Sequence, residues 1–152
     1  YYLKQLPAYE IVSLLTSVNT QYDRISMHGV RRTLLEKQAA SLGFPLDILA
    51  VPGELSMEAY DRLMKSKMAA IQEKGITHAA FGDIFLEDLR TYREQKLNEV
   101  NIQAVFPLWK KDTRKLVRDF LELGFKTITV CVNARFLDES FVGRVIDEQF
   151  LN

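Results

Sequence analysis

Apolar residues along the chain fall into two alternating kinds of segment. Short runs rich in Ile, Val and Leu are followed by longer stretches in which apolar residues recur at helical spacing. Near-continuous apolar runs are typical of strands covered by helices on both faces, and the longer spacing is typical of amphipathic helices. The alternation therefore predicts an α/β protein whose sheet is mostly parallel.

The pattern predicts five strands and four helices. The strands are expected at residues 10–18, 45–51, 77–85, 102–108 and 126–132. The helices are expected at residues 30–42, 56–74, 86–99 and 112–123. Three of these helices run directly into a glycine, where a left-handed C-terminal cap is common. We expect one five-stranded sheet and a single domain over residues 1–152.

Composition and charge exclude several classes of function. The chain has 152 residues, 47% of them apolar and 26% charged, which suits one compact globular domain. Twenty Lys and Arg balance twenty Asp and Glu, so neither nucleic acid nor an anionic membrane is favoured as a partner. Cys131 is expected to pack as a small buried hydrophobe. With no disulfide framework and no membrane-spanning stretch, we expect a cytoplasmic protein, although the chain opens at Tyr1 rather than Met.

Several common cofactor and catalytic motifs are absent from the sequence. It contains neither GxGxxG nor GxxxxGK[ST], the glycine patterns of dinucleotide and phosphate binding, and no GxSxG serine motif. Two histidines and one cysteine are too few for a dedicated zinc site, so we expect no such metal centre.

The segment after the first predicted strand is one of two places where a ligand could bind. In parallel α/β sheets, ligands bind beyond the carboxyl ends of the strands. Here a polar loop carries His28 and Gly29 and leads into a helix whose free N–H groups favour an anion. Gly29 would let the backbone approach a ligand closely. His28 is a candidate ligand contact, and a capping or surface role is the alternative.

The segment after the third predicted strand is the second place where a ligand could bind. Asp83 follows that strand, where a carboxylate could hold a metal, a ribose or a reacting amine. Its alternative role is to cap the following helix. Arg90 and Glu94 stand four residues apart on that helix, so they could clamp a substrate or form a surface pair, and their spacing favours the surface pair.

Four segments together resemble the bacterial branch of the diphthine-ammonia ligase family, which has a PP-loop or adenine nucleotide alpha-hydrolase-like ATP-binding domain. They are YDRISMHGVRR, FGDIFLEDLRTYRE, FPLWKKDT and LGFKTITVCVN, and they span almost the whole chain. Gly82, Ile84, Arg90 and Glu94 match the third-strand motif of that family, whereas Asp83 replaces another residue. The resemblance therefore rests on several ordered motifs rather than on one.

The resemblance implies a Rossmann-like (HUP-type), three-layer α/β/α fold that binds ATP. Such an enzyme splits ATP to AMP and pyrophosphate, and it activates a carboxylate as an acyl-adenylate for attack by ammonia. Mg²⁺ would spread the charge of the phosphates. The implied partners are ammonia and a carboxylate on a small molecule or on a protein, without nucleic acid or membrane. A homodimer is left open.

The resemblance also implies roles for the residues of the two segments. It places Met27, His28 and Gly29 beside the nucleotide. Around the activated substrate it places Gly82, Asp83, Arg90 and Glu94. Asp83 is then the catalytic residue, and Arg90 pairs with the substrate carboxylate.

Two features of the resembled family lie outside the sequence. The family begins with a Ser-Gly-Gly-Lys-Asp-Ser loop that cradles pyrophosphate, and it ends with a glycine- and glutamate-containing segment with His. Neither occurs between Tyr1 and Asn152, so we expect a chain truncated at both ends and a poor ATPase by itself. The alternatives are a module that binds or senses an adenine nucleotide without turnover, and an interaction domain with no small ligand.

Overall fold

The computed structural model describes residues 1–151 and has a mixed α/β architecture. The chain divides into two compact units, Tyr1–Trp109 and Lys110–Asn152, called here the N-terminal unit and the C-terminal unit. The single domain expected over residues 1–152 stays a prediction, because two compact units in one chain can unfold together or separately. Among the described residues, no helix combines the length and the apolarity that a bilayer crossing requires.

All four predicted helices form, with ends within about two residues of the expected ones. They are α1 (Arg32–Leu42), α2 (Met57–Gln72), α3 (Glu87–Asn98) and α4 (Thr113–Glu122), and a short α5 (Glu148–Leu151) follows them. Local chemistry sets several of these ends. Ser56 caps α2 by accepting a hydrogen bond from the N–H of Ala59 at 3.2 Å. Gly43 ends α1 at φ 75°, a left-handed cap that glycine adopts without strain.

Five short strands form two small sheets rather than one large one. They are β1 (Leu14–Asn19), β2 (Arg24–Ile25), β3 (Leu46–Val51), β4 (His78–Ala80) and β5 (Gln103–Val105). The first sheet has the order β2-β1-β3 and the second has the order β4-β5. The β1/β3 and β4/β5 pairs are parallel, as predicted, whereas β2 pairs with β1 in the antiparallel direction.

The expected five-stranded, Rossmann-like sheet is not confirmed. The predicted last strand, residues 126–132, forms only an isolated bridge between Ile128 and Val145. Hydrogen bonds from the N–H of Thr129 to the carbonyl of Arg144, and from the N–H of Gly143 to the carbonyl of Thr129, tie it to a segment close in sequence. Short loops are cheaper to close than long ones, so local pairing competes well with addition to a distant sheet.

Residues 126–132, which belong to the C-terminal unit, expose several apolar side chains. Val130 is 76% exposed, and Cys131 is also exposed, so the prediction of a buried cysteine is wrong. The apolar run was expected to be covered on both faces as part of a sheet. Without the ladder of a full strand, alternate residues face solvent instead.

The best-defined core of the N-terminal unit lies under α2, α3 and the start of β5. Met68 and Ile71 of α2 pack with Leu97 of α3 and with Ile102, which is 1% exposed. Fully burying side chains of this size contributes about 1.5–3 kcal/mol each. This core fixes α3 against the β4/β5 pair, and α3 carries two of the predicted site residues.

Candidate functional site

The predicted site of the third strand begins where the β4/β5 ladder ends. The N–H of Phe81 donates to the carbonyl of Val105 at 2.9 Å, so the backbone stays paired one residue beyond β4. Asp83 follows two residues later and leads toward α3. Its position beyond the carboxyl end of a parallel strand is the one that the sequence predicts.

Asp83 does not cap α3. The N-cap position belongs to Leu86, which makes no side-chain capping bond, so the capping alternative for Asp83 is wrong. Its carboxylate faces Arg93 instead, with Asp83 Oδ2 3.0 Å from Arg93 Nε. That distance is an ion-pair distance, yet the two atoms make no hydrogen bond of ordinary geometry and both are shielded from solvent. We interpret the contact as a charge pair whose N–H does not point at the oxygen.

Arg93 is the site residue that the sequence analysis missed. Its guanidinium lies 4.3 Å from the ring centroid of Phe81, and Phe81 in turn stacks on Phe106 at 5.6 Å with an interplanar angle of 27°. Arg93 comes three residues after Arg90, so both lie on one face of α3. Two sequence signals could have indicated Arg93. One is its spacing from Arg90, and the other is the aromatic residue that follows each of β4 and β5.

Arg90 and Glu94 form the predicted pair across one turn of α3. Arg90 Nε donates to Glu94 Oε1 at 2.8 Å, and both side chains are partly exposed. The guanidinium also lies 4.7 Å from the Trp109 ring and 5.1 Å from the Phe106 ring. These contacts use the face of the guanidinium and its Nε–H, so they restrain the side chain of Arg90 from two directions.

Gly82 adopts no backbone conformation that would require glycine. Its φ lies outside the left-handed region, and a Cβ placed on it would meet nothing within 4 Å. Neither strain nor crowding within the described chain accounts for a glycine there. The place of Gly82 beside an activated substrate stays a prediction.

The predicted nucleotide segment forms a tight turn rather than a long loop. The N–H of Ile25 donates to the carbonyl of Val30 at 2.7 Å, and β2, which was not predicted, begins the turn. Met27 has a left-handed φ of 69° and is 99% exposed. His28 is also exposed, and Gly29 has a φ of 65°. The turn thus presents these three residues to solvent, where a ligand could reach them.

Backbone hydrogen bonds and the side chain of Arg24 hold this turn in shape. The N–H of His28 donates to the carbonyl of Ser26 at 2.9 Å, and Arg24 Nη1 donates to the carbonyl of Gly29 at 2.7 Å. Helix α1 starts directly after the turn, with Arg31 at its N-cap and no side-chain cap. A helix start without a side-chain cap leaves N–H groups that favour an anion.

The segment around His28 and the segment around Asp83 belong to different sheets. The turn around His28 follows β1, which pairs with β2 and β3, whereas Asp83 follows β4, which pairs with β5. The contacts described above join each group to its own sheet. A pocket shared by His28 and Asp83 therefore stays a prediction.

A polar network holds α3 against α2 close to the site. Asp61 of α2 accepts a hydrogen bond from the hydroxyl of Tyr92 and pairs with Lys96 at 2.7 Å. Hydrogen bonds from Lys96 and Tyr92 lower the pKa of Asp61, and the bond to Asp61 raises the pKa of Lys96. On the next turn Lys65 donates to Glu99 at 2.7 Å, which lowers the pKa of that carboxyl. These pairs fix the rotation of α3 and with it the directions of its arginines.

A surface depression is formed by charged side chains of the C-terminal unit. It runs along α4 in the C-terminal unit and is lined only by charged side chains of the N-cap and that helix: Asp112, Arg114, Lys115, Arg118, Asp119 and Glu122. Because it lies along one helix and contains no predicted site residue, we do not interpret it as the functional site.

Residues 1–151 contain no cluster of three metal-binding side chains. Mg²⁺ that binds with a nucleotide is held mainly by phosphates and water, with one or two carboxylates. Asp83 is the carboxylate that lies at the strand ends. Binding of Mg²⁺ together with a nucleotide stays a prediction for this chain.

The C-terminal part of the chain matches a known family. Residues 112–152 match the family model described as Diphthamide synthase C-terminal domain. The match begins close to the boundary between the two compact units and covers less than half of the chain. A comparison with curated proteins gave no significant match. The family match supports the resemblance to diphthine-ammonia ligases in its broad form, and the bacterial branch and the absent terminal segments stay predictions.

Proposed function

We propose that this chain is part of an ATP-dependent ligase that forms an amide from a carboxylate and ammonia. The observation that carries the proposal is the match of residues 112–152 to the diphthamide synthase C-terminal domain. The four sequence motifs and the cluster of charged and aromatic residues around Asp83 support it. The acceptor carboxylate is not assigned, because Asp83 stands where relatives in the resembled family have another residue.

The proposed reaction has two steps, and both conserve atoms and charge. A carboxylate oxygen of the acceptor attacks the α-phosphorus of ATP, and pyrophosphate leaves, which gives an acyl-adenylate. Ammonia then attacks the acyl carbon, AMP leaves, and the nitrogen loses one proton to a base. Holding the reactants in line supplies a large part of the acceleration in reactions of this kind. Mg²⁺, when bound with ATP, spreads the charge of the phosphates.

The residues at the ends of β4 and β5 are assigned to the acceptor. Arg90 is held by Glu94 on one side and by Trp109 and Phe106 on its face, so less of its freedom would be lost when it pairs with a carboxylate. Asp83 is assigned as the base that receives the proton from the attacking ammonia. Both side chains lie beyond the strand ends, where parallel α/β folds bind ligands.

The turn before α1 is assigned to the nucleotide. Met27, His28 and Gly29 are exposed there, and the start of α1 offers N–H groups to an anion. These groups by themselves are few for a triphosphate. The proposal therefore concerns the full-length protein.

The deciding experiment measures AMP and pyrophosphate release by the full-length protein with Mg·ATP, ammonium and candidate carboxylates. We expect release in the wild type, loss in Asp83→Ala and in Arg90→Ala, and unchanged release in Arg62→Ala, an exposed arginine of α2. Wild-type rates in both site variants would remove those residues from the site. The melting temperature is measured in parallel, since a ligand at a hundred times its dissociation constant adds about 2.7 kcal/mol of stability.

The melting experiment also separates the proposal from its alternatives. A higher melting temperature with Mg·ATP but no AMP from any acceptor would favour a module that binds adenine nucleotides without turnover. An unchanged melting temperature together with no AMP would contradict both functions and would leave an interaction domain.

A further inference from the structure

Phe81, Asp83 and Arg93 restrain one another near the end of β4. The proposed function gives Arg93 no role. Arg93 lies with its guanidinium 4.3 Å from the Phe81 ring and with its Nε 3.0 Å from Asp83 Oδ2. Phe81 and Asp83 are two residues apart in one loop, and Arg93 reaches both of them from α3. The arginine therefore bridges the helix and the loop that carries the proposed base.

The ring of Phe81 gives Arg93 a defined position. The backbone of Phe81 is fixed by its hydrogen bond to Val105, and its ring is fixed by stacking on Phe106. A guanidinium held over an anchored ring loses much of its freedom to swing. The charge that faces Asp83 is consequently set by the sheet and not by a flexible side chain alone.

The position of the Asp83 carboxylate depends on the charge of Arg93, because little of the Asp83 side chain is exposed to water. Its side chain is 13% exposed, compared with 32% for Arg93. A carboxylate so far removed from solvent is costly unless an opposite charge compensates it. The orientation of the Nε–H leaves Oδ2 without a directed hydrogen bond, so the charge of the arginine rather than a hydrogen bond to Oδ2 holds the carboxylate in place.

We propose that Arg93 is the positioning residue for Asp83. It fixes the charge and the direction of the carboxylate and does not itself contact the substrate. The catalytic meaning of that position rests on the proposed ligase function. The positioning itself is a property of the folded chain and can be tested without the reaction.

The first test measures how readily Asp83 reacts with a water-soluble carbodiimide and glycine ethyl ester in the full-length protein. Mass spectrometry of the peptide that contains Asp83 quantifies its labelling. We expect Arg93→Gln to raise that labelling severalfold, because the carboxylate loses its partner and turns toward solvent. Arg62→Gln, at an exposed position on α2, is the matched control and should leave it unchanged.

Circular dichroism and labelling of remote carboxyls show whether Arg93→Gln is folded. If that variant unfolds, Arg93→Lys decides, because lysine keeps the charge but lacks the planar group that lies over Phe81. Labelling of Asp83 above the wild-type level in a folded variant supports the proposal. Wild-type labelling of Asp83 in a folded Arg93 variant overturns it.

The second test measures turnover and distinguishes the two proposals. We expect Arg93→Gln to lower kcat for AMP release with an unchanged KM for ATP, whereas Arg62→Gln should change neither. A wild-type kcat in a folded Arg93→Gln variant would mean that turnover does not depend on Arg93, which overturns its role in positioning a catalytic Asp83. A wild-type protein without turnover would contradict the ligase function, while the labelling experiment would still decide the role of Arg93.

Discussion

The hydroxyl of Tyr92 on α3 donates a hydrogen bond to Asp61 on α2. The bond lies in the middle of α3, between the turn that carries Arg90 and the end that carries Leu97. Burial, followed by the bond to the charged Asp61, raises the pKa of Tyr92 to about 12. The pair therefore helps to hold α3, which carries Arg90, against α2. Its contribution to stability depends on pH.

Tyr92→Phe should destabilise the N-terminal unit by about 1 kcal/mol at neutral pH, the typical net value of one hydrogen bond. Because the folded pKa of Tyr92 lies above its ordinary value of 10.0, its contribution is complete below pH 10.0 and is lost as the pH rises toward about 12. Urea unfolding at several alkaline pH values measures both effects. The difference between wild type and variant should shrink as the pH rises.

The matched control for this prediction is Tyr22→Phe, since Tyr22 is 62% exposed. It should change the free energy of unfolding by less than about 0.5 kcal/mol at any of these pH values. A difference between wild type and Tyr92→Phe that stays constant from neutral to strongly alkaline pH would contradict the interpretation.

Lys67→Met should reduce stability at neutral pH but much less in acid. Lys67 Nζ donates to Asp47 Oδ1 at 2.9 Å, and this bond lowers the pKa of Asp47 below 3.8. A lowered carboxyl pKa contributes stability above the unfolded pKa, and that stability is lost as the pH falls through the folded pKa. We expect a loss of about 1 kcal/mol at neutral pH.

Chemical denaturation of Lys67→Met and of the exposed Lys37→Met, from neutral pH into acid, checks this prediction. The Lys37 variant should follow the wild-type curve. A loss in Lys67→Met that persists undiminished in acid would show that packing of the lysine stem, rather than its charge, stabilises β3 against α2.

Ile102→Ala should be among the most destabilising single changes in the N-terminal unit. Ile102 is 1% exposed and packs against Met68, Ile71 and Leu97. Truncation of such a side chain typically costs about 2–5 kcal/mol, because a cavity remains where the side chain was. Leu34→Ala, at a position that is 55% exposed, should cost far less in the same urea titration. Equal losses would mean that this cluster is not the main core.

The fluorescence of Trp109 should report on its contact with Arg90. Trp109 is the single tryptophan of the chain, and the guanidinium of Arg90 lies 4.7 Å from its ring. Arg90→Ala should shift tryptophan emission to the red as water replaces the cation, and it should lower Tm by about 2–4 °C per kcal/mol of lost contact. Arg62→Ala should leave the emission spectrum unchanged. An unshifted spectrum in Arg90→Ala would place the two side chains apart in solution.

The local elements of the fold could be predicted because each is encoded within a few residues. Helix α2 shows this, since Ser56 caps its start and apolar residues repeat along one face. The parallel pairing of β1 with β3 also agrees with the apolar runs. The antiparallel β2 was missed, because a two-residue strand in a polar turn carries no periodic signal.

The candidate site could be predicted only in part. The position of Asp83 beyond a strand and the spacing of Arg90 and Glu94 follow from local pattern, and the structure has the predicted pair. The partner of Asp83 could not be found in this way. Arg93 is one of many charged residues on α3, and only the packing of that helix against Phe81 distinguishes it.

By itself, the sequence determined where the helices begin and end, that strand pairing is mostly parallel, and which loops follow strand ends. These features depend on backbone hydrogen bonding and on side-chain periodicity over short distances. The tertiary structure alone decided that the strands form two small sheets, that Cys131 is exposed, and that Asp83 faces Arg93. Such features depend on contacts between distant residues, whose formation is a balance of burial against chain entropy that no local pattern encodes.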